Sequence, residues 1–335
     1  MHSLLDIAIE TPRGRGGAGG RVPCAGVGRR GIRSSAVTSD FIAVLANPSA
    51  GRGRYRGLLP GVVQALGVAG RPVRLLTAAD GAQAETACHD AVGEGAAAVV
   101  AVGGDGTVHR ALQAVAGTAT GFGVVPAGTG NDFASAVGVP LAPLRAAEAI
   151  GLALRDGRAH RVDLARTEND QGGSRWFCAV LAAGFDALVN ERANRMRLPR
   201  GPRRYDLAIL LELARLRARE YVLHADGVEH RFAAEIVAVG NCPSYGGGMR
   251  ILPGADPTDG LLDVIFAAPL GRAHLTRLKP RLRHGTHVSD ARVTVLRARR
   301  VRIQAEGIIG YADGERLGAL PLEVACVPGA VRLLR

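Results

Sequence analysis

Ala96-Ala97-Ala98-Val99-Val100-Ala101-Val102, followed by Gly103-Gly104-Asp105-Gly106-Thr107 and a helical pattern from Val108 through Ala116, reads as an apolar strand, a glycine turn and a helix. The construction repeats at once, as Phe122-Gly123-Val124-Val125, then Pro126-Ala127-Gly128-Thr129-Gly130-Asn131-Asp132, then a helical start at Phe133. Continuous apolar strands alternating with helices imply a parallel sheet covered on both faces, with ligands bound beyond the carboxyl ends of the strands. Both glycine turns fall at that edge. Glycine lets backbone N–H groups approach an anion, and a helix starting immediately afterwards adds the positive end of its dipole. Glycine and Asx residues also serve simply to connect strands to helices. Two such turns in tandem, each with an Asp and a Thr, favour nucleotide phosphates.

Upstream, Phe41-Ile42-Ala43-Val44-Leu45 is a buried strand ending in a third glycine turn, Asn47-Pro48-Ser49-Ala50-Gly51-Arg52-Gly53. Leu58 to Leu66 read as a helix, Pro72 to Leu76 as a strand ending at Thr77, Ala82 to Val92 as a helix, and Leu141 to Arg155 as one more amphipathic helix. The order is that of a doubly wound α/β domain over residues 40–160. From Arg161 the pattern becomes strand-rich, at Arg161 to Arg166, Arg175 to Ala182, Tyr221 to Ala225, Arg231 to Val239, Leu261 to Ala267, Ala291 to Leu296 and Val301 to Ala305. Residues 161–320 are therefore expected to form a β-rich, sandwich-like second domain, interrupted by a helix from Tyr205 to Arg219. Residues 1–39, rich in Gly and Arg, have nothing to build a core from and read as a disordered basic arm or a start codon placed too early.

The 335 residues, 47% apolar and 21% charged, are those of a globular chain large enough for two domains. Cysteines 24, 88, 178, 242 and 326 are odd in number and without a C-x-x-C pair, which argues for a reducing cytosol and against structural zinc or a disulfide framework. No apolar run approaches the roughly 18 residues of a membrane span. A cytoplasmic protein, at most peripheral to a membrane, is expected. The net charge of +12 is carried almost wholly by arginine, because Lys279 is the only lysine. That excludes a G-x-x-x-x-G-K-[ST] loop and a kinase-type phosphate lysine, leaving backbone amides, arginine and metal to meet phosphate charge.

Two basic segments stand out. Residues 191–220 carry nine arginines against four acids beside Leu207, Ile209, Leu210, Leu213 and Leu216, and residues 271–304 carry ten cationic side chains against Asp290 alone. Such segments suit an anionic membrane surface, or are solvated faces of packed helices. Nucleic acid is not expected as a partner, because aromatic residues are only 4% and no stacking array is visible.

Asp105 and Asp132 sit where a magnesium nucleotide would lie, since hard cations bridging phosphates take carboxylate oxygens; Asp132 also suits a helix N-cap. Asn241-Cys242-Pro243-Ser244-Tyr245-Gly246-Gly247-Gly248-Met249 is a further glycine loop, and Asp256-Pro257-Thr258-Asp259-Gly260-Leu261-Leu262-Asp263 is a tight acidic turn that suits either a divalent ion or a hairpin. Asp313-Gly314-Glu315 is first of all a turn signal.

In that order, together with Gly103 to Thr107, Asn47-Pro48-x-x-Gly51 and Pro126 to Asp132, these segments resemble the diacylglycerol kinase catalytic family, in particular its bacterial soluble lipid kinases. The likeness runs from Phe41 to the C-terminus. It implies a diacylglycerol kinase/NAD kinase-like fold whose first domain is completed by about residues 321–335. It implies that Asn47, Pro48, Ser49, Ala50, Gly51, Thr77, Gly104, Asp105, Gly106, Thr107, Val108, His109, Arg110, Gly128, Thr129, Asn131 and Asp132 belong to the ATP site. It further implies that Asp259, with the carbonyls of Asp256 and Leu261, holds a structural Mg²⁺, and that Asp313 is the general base with Glu315 beside it. His109-Arg110 stands where the family more often has Asn-Glu, and Ser135 where an arginine commonly follows Asn-Asp-Phe-Ala.

The expectation is an ATP-dependent, Mg²⁺-requiring kinase that phosphorylates diacylglycerol to phosphatidic acid at an anionic membrane surface, with a homodimer as one assembly open to it. Sphingosine or another lipid, or NAD, which shares a kinase with the Gly-Gly-Asp-Gly-Thr loop, are the alternative acceptors. A nucleotide-responsive membrane-binding module is the alternative that is not an enzyme.

Overall fold

Four apolar strands, β1 (Ile42–Ala46), β2 (Val73–Leu76), β3 (Ala98–Gly103) and β4 (Gly121–Pro126), pair in parallel in the order β2-β1-β3-β4. Alternate residues of a strand point to opposite faces. Accordingly Ile42, Val44, Ala98 and Val100 enter one buried cluster with α1 (Leu59–Leu66) and α5 (Pro143–Arg155). Ala43, Leu45, Val99 and Ala101 enter another with α2 (Gly81–Gly93) and α3 (Asp105–Val115). Proline in the first turn starts α1 and α5, while the Asp80 carboxylate starts α2 by accepting from the Gln83 amide at 2.9 Å. A short helix, α4 (Asp132–Ala136), follows β4. The computed structural model describes residues 40–46, 57–196, 198 and 202–335; the expectations placed on 1–39 and on Asn47, Pro48, Ser49, Ala50 and Gly51 fall outside them.

The second half consists of β5 (His160–Asn169), β6 (Ser174–Phe177), β7 (Val180–Ala182), α6 (Phe185–Arg195), α7 (Pro202–Ala214), β8 (Arg219–Ala225), β9 (Val228–Ala234), β10 (Ile236–Gly240), β11 (Leu262–Ala267), α8 (Gly271–His284), β12 (Val293–Ala298), β13 (Arg300–Gln304), β14 (Ile309–Ala312), β15 (Glu315–Ala319) and β16 (Leu322–Leu334). The final strand joins the two halves. Arg332 to Leu334 pair in parallel with β4, while Leu322 to Ala325 pair antiparallel with β13 and β5. One ten-stranded sheet thus runs from β2 through β16 to β9, and a six-stranded antiparallel sheet, β12-β11-β10-β7-β14-β15, forms beside it. Tyr221, Leu223, Val301, Ile303 and Val324 of the large sheet pack on Leu181, Val239, Val264 and Ala312 of the small one. Burying each such Val, Leu or Ile contributes about 1.5–3 kcal/mol. A parallel α/β half and a β-sandwich half are what the sequence pattern calls for.

Four details differ from the sequence reading. The run Arg175 to Ala182 is not one strand: β6 lies in the large sheet and β7 in the small one, so the chain crosses between sheets at Cys178-Ala179. The run Arg231 to Val239 divides in the same way, with β9 in the large sheet, β10 in the small one and the break at Glu235. The helix expected to reach Arg219 ends at Ala214, and β8 begins at Arg219. The second basic segment contains α8, a helix with Pro280 inside it, whose Leu275 and Leu278 are buried.

Candidate active site

A cavity of about 660 Å³ lies at the carboxyl edge of the parallel sheet, beyond β1, β3 and β4. The two glycine turns form one wall and touch each other through their backbones. A Cβ on Gly128 would stand 2.4 Å from the Gly104 Cα, so neither turn tolerates a side chain there. Asn131, in the left-handed region at φ 59°, fixes the second turn. Its Oδ1 accepts from the Gly128 amide at 3.0 Å, its Nδ2 donates to the Gly128 carbonyl at 3.1 Å, and its own amide donates to Asp105 Oδ2 at 3.0 Å.

Of the residues expected at the nucleotide, Gly104, Asp105, Gly106, Thr107, Arg110, Gly128 and Thr129 line the cavity. Val108 and His109 are buried on the inner face of α3, and Thr77 is exposed just after β2, whose following loop reaches the cavity through Ala78, Ala79, Asp80 and Gly81 instead. Those four, with Gly130, were not anticipated; a polar turn after β2 at the same sheet edge was the available signal. Arg110 is the cationic side chain of the cavity wall among the described residues. It bridges Glu85 at 2.6 Å and Glu315 at 2.5 Å, and Arg175 holds the other Glu85 oxygen at 2.7 Å. Burial would raise the Glu85 pKa, but the two arginines outweigh it and hold the carboxyl below its ordinary value.

The acids of the motifs separate by what their oxygens do. Asp105 is mostly buried, and its Oδ1 has no hydrogen-bond partner among the described residues. Burial, then the nearby Asp132 and Asp313 carboxylates, push its pKa up. A buried carboxylate oxygen without a donor is open to a cation carried in by a ligand, so Asp105 fits as a single carboxylate ligand to Mg²⁺ on a nucleotide. Asp132 is neither N-cap nor cavity residue. Asn131 occupies the cap position of α4, and the Asp132 oxygens accept from the amides of Gly247 and Gly248 at 2.8 Å each. The glycine loop of the second half is thus held to the first by one carboxylate, with Gly246, Gly247 and Gly248 all at positive φ.

Asp313 and Glu315 also diverge. Asp313-Gly314 forms the β14–β15 turn with φ of 51° and 86°, the left-handed pair of a tight hairpin. The carboxyl points inward, its side chain 1% exposed, to the place where the chain crosses between sheets. The Cys178 and Ala179 amides, freed from any ladder by that crossing, donate to it at 3.0 and 2.9 Å, and His109 Nδ1 lies at 3.2 Å. Burial would raise its pKa, but His109 and the two amides outweigh that and keep it ionised below the ordinary range. Asp313, expected as the general base, therefore does not face the cavity; Glu315 lines it, with its side chain 36% exposed.

The acidic turn expected to hold a structural Mg²⁺ is closed by other partners. Asp256 Oδ1 accepts from the Thr258 amide and hydroxyl, Asp259 Oδ1 accepts from the Leu261 amide, and Asp259 Oδ2 pairs with the Arg297 guanidinium. Asp163, unanticipated because nothing in its strand marks it, accepts from the Gly260 and Gly329 amides at 2.7 Å each. The described residues contain no cluster of three or more acidic, His or Cys side chains able to hold a metal. Arg297 neutralises the Asp259 carboxylate in this structure, so a cation held there by Asp259 and the Asp256 and Leu261 carbonyls would have to displace that guanidinium.

Residues 42–167 match the diacylglycerol kinase catalytic domain, and residues 179–335 match the YegS C-terminal NAD kinase beta sandwich-like domain. A Mycobacterium tuberculosis (strain ATCC 25618 / H37Rv) protein named diacylglycerol kinase is 42% identical over 295 residues, covering 88% of this chain and 94% of its own length. A Stenotrophomonas maltophilia (strain K279a) protein named "Probable lipid kinase YegS-like" is 30% identical over 262 residues, covering 75% and 82%. Two crystal structures from Bacillus anthracis str. Sterne superpose with TM-scores of 0.72 and 0.65 at 21% and 19% identity. They cover 90% and 88% of this chain, and 97% and 96% of their own, and at such identities they speak for the fold. The chain belongs to the diacylglycerol kinase catalytic family, among the YegS-like lipid kinases.

Proposed function

We propose that this lipid kinase transfers the γ-phosphoryl group of ATP to the primary hydroxyl of diacylglycerol, giving phosphatidic acid. The observation that carries the reading is one cavity at the sheet edge that brings together the Asp105 and Gly128 turns, Arg110 and Glu315. The M. tuberculosis relative named diacylglycerol kinase supports the choice of acceptor. Residues 40–160 with 321–335 serve as the nucleotide half, and 161–320 as the acceptor half.

Phosphoryl transfer needs positioning and charge stabilisation, with a carboxylate to take the acceptor proton. Amides of the two glycine turns and the start of α3 meet the phosphates, and Arg110 supplies the positive side chain that this chain has in place of lysine. Mg²⁺ carried in with the nucleotide, for which Asp105 is the fitting ligand, would neutralise phosphate charge. Glu315 accepts the hydroxyl proton as the oxygen–γ-phosphorus bond forms and the bond to the β,γ-bridging oxygen breaks, leaving ADP. Arg110 shifts from Glu315 towards the phosphates and so releases that carboxylate. Asp313 keeps the hairpin turn in register and positions Glu315, two residues on.

Among the described residues no helix is long and apolar enough to cross a membrane. Diacylglycerol stays in its bilayer, so the enzyme works at an anionic membrane surface. Labelled ATP offered with diacylglycerol, sphingosine, phosphatidylglycerol or NAD tests the whole reading. Label is expected in phosphatidic acid; label only in a dinucleotide, or in none of the four, overturns it.

A further inference from the structure

Each basic segment of the second half contains a helix, and the two helices differ in what accompanies the arginines. On α8 the apolar residues are turned inward: Leu275 and Leu278 are buried, while Arg272, Arg277 and Arg283 face solvent. On α7 the apolar residues lie on two sides. Ala208, Ile209 and Leu213 pack on α6 and the sandwich, and Arg192 ties the two helices by pairing with Glu212. The opposite side presents Leu207, Leu210, Leu211 and Ala214, spaced as one stripe along a helix, with Leu210 63% exposed. Leu198, before the helix, is 72% exposed, and Tyr205 is exposed near the start of α7. Among the described residues eleven large apolar side chains are exposed; Tyr205, Leu207, Leu210 and Leu211 lie on α7 and Leu198 shortly before it, while the other six each lie in a different element or loop.

Arginine predominates at the border of the stripe. Arg203, Arg215 and Arg217 are exposed and make no ion pair among the described residues; of the two acids of α7, Glu212 is taken by Arg192 and Asp206 is exposed three residues after Arg203. Arg215 and Arg217 also line a cavity of about 600 Å³ whose wall mixes Phe185, Leu188, Leu216 and Ile308 with charged side chains such as Glu191 and Arg219. An exposed leucine stripe flanked by unpaired arginines matches the two layers of a lipid surface: acyl chains below and anionic headgroups above.

We propose that the α6–α7 hairpin is the membrane-docking element of this protein, seating Leu207, Leu210 and Leu211 in the acyl boundary of an anionic bilayer and Arg203, Arg215 and Arg217 among its phosphates. The helix α8, more basic but without an exposed leucine stripe, stays solvated. The inference rests on the lipid-kinase reading for its biological sense, but its test does not: vesicle binding is read without catalysis.

The full chain is sedimented with vesicles of phosphatidylcholine alone and of phosphatidylcholine mixed with phosphatidylglycerol. Wild type is expected to bind the mixed vesicles and to come off as salt rises, because exposed charge is screened. Leu210→Gln with Leu211→Gln, and separately Arg203→Glu with Arg217→Glu, should each reduce the bound fraction about ten-fold. Arg277→Glu with Arg283→Glu on α8 should leave it unchanged. These are exposed positions, and circular dichroism with melting shows whether each variant folds. A Leu210→Trp variant gives an independent signal, a blue-shifted emission quenched by brominated acyl chains. Activity on dispersed short-chain diacylglycerol should persist in every variant, which separates lost docking from lost chemistry. Binding by the α7 variants equal to wild type, equal loss in the α8 variant, or a dimer that dissociates on Leu210→Gln with vesicle binding intact overturns the proposal, the last by assigning the stripe to a second copy.

Discussion

The cavity wall and the seam between the two halves are lined by the same residue types, aspartate and glycine, with opposite outcomes. Along the seam every carboxylate is used up by the fold: Asp132 holds the Gly247 and Gly248 amides, Asp163 those of Gly260 and Gly329, and Asp313 those of Cys178 and Ala179. Asp259 is taken by Arg297 and the Leu261 amide. At the cavity, Asp80 caps α2, but Asp105 keeps an oxygen without a partner and Glu315 is held only by Arg110, which also lines the cavity. Acids whose oxygens are committed to backbone amides organise structure, and acids left short of donors at a cavity are free for a ligand.

The sharpest way to break this comparison is Asp105→Asn. Transfer is expected to fall about 10²- to 10³-fold, measured as kcat at saturating ATP and magnesium, because a charge placed for the reacting phosphates is gone. The same variant should be more stable than wild type near neutral pH. The folded pKa of Asp105 is raised, so its contribution to stability is greatest at low pH and is lost as pH rises through that raised value. The gain in melting temperature should accordingly shrink as pH falls towards the ordinary carboxylate range. A variant that is active and no more stable would put Asp105 with the seam acids.

Asp313→Asn should do the reverse. It sets an amide group against the Cys178 and Ala179 donors and should cost about 1–3 kcal/mol at neutral pH in denaturant unfolding. The folded pKa of Asp313 is lowered, so wild-type stability from this group is present above the unfolded pKa and is lost as pH falls through the folded one; the gap between variant and wild type should close in acid. A gap that is constant with pH would show that the carboxylate charge does not matter there.

The smallest effect belongs to the acidic turn. Arg297→Ala removes a half-exposed ion pair and should cost only about 0.2–1 kcal/mol. Chelation should leave the melting temperature of the nucleotide-free enzyme unchanged. If EDTA lowers it, and Asp259→Ala lowers it no further, Asp259 binds metal and Arg297 is a bystander.

Much of this arrangement was legible in the sequence. The doubled strand–glycine–helix unit fixed the parallel sheet and the cavity edge, because apolar runs and glycine turns are local signals. The sandwich followed from the run of short strands after Arg161. The sheet crossing at Cys178-Ala179 was hidden in an unbroken β-like run, since nothing local distinguishes a residue that changes sheets from one that continues a strand. α8 was obscured by Pro280, although Leu275, Leu278 and Leu282 keep helical spacing. The division of labour between Asp313 and Glu315, and the pairing of Asp259 with Arg297, depend on contacts between residues far apart in the chain, which no motif encodes. The sequence marks glycines 104 and 128 as open to a phosphate; the structure shows that each is also required by the other.

In the proposed mechanism phosphoryl transfer occurs at the cavity with Glu315, and not Asp313, taking the proton. Single-turnover transfer from labelled ATP to dispersed diacylglycerol by Glu315→Gln and Asp313→Asn, compared at matched folded fraction, tests it directly. Glu315→Gln is expected to slow transfer about 10²- to 10⁴-fold with nucleotide binding retained, and Asp313→Asn to slow it far less. A Glu315→Gln enzyme that transfers at the wild-type rate, while folded Asp313→Asn does not transfer, would contradict it.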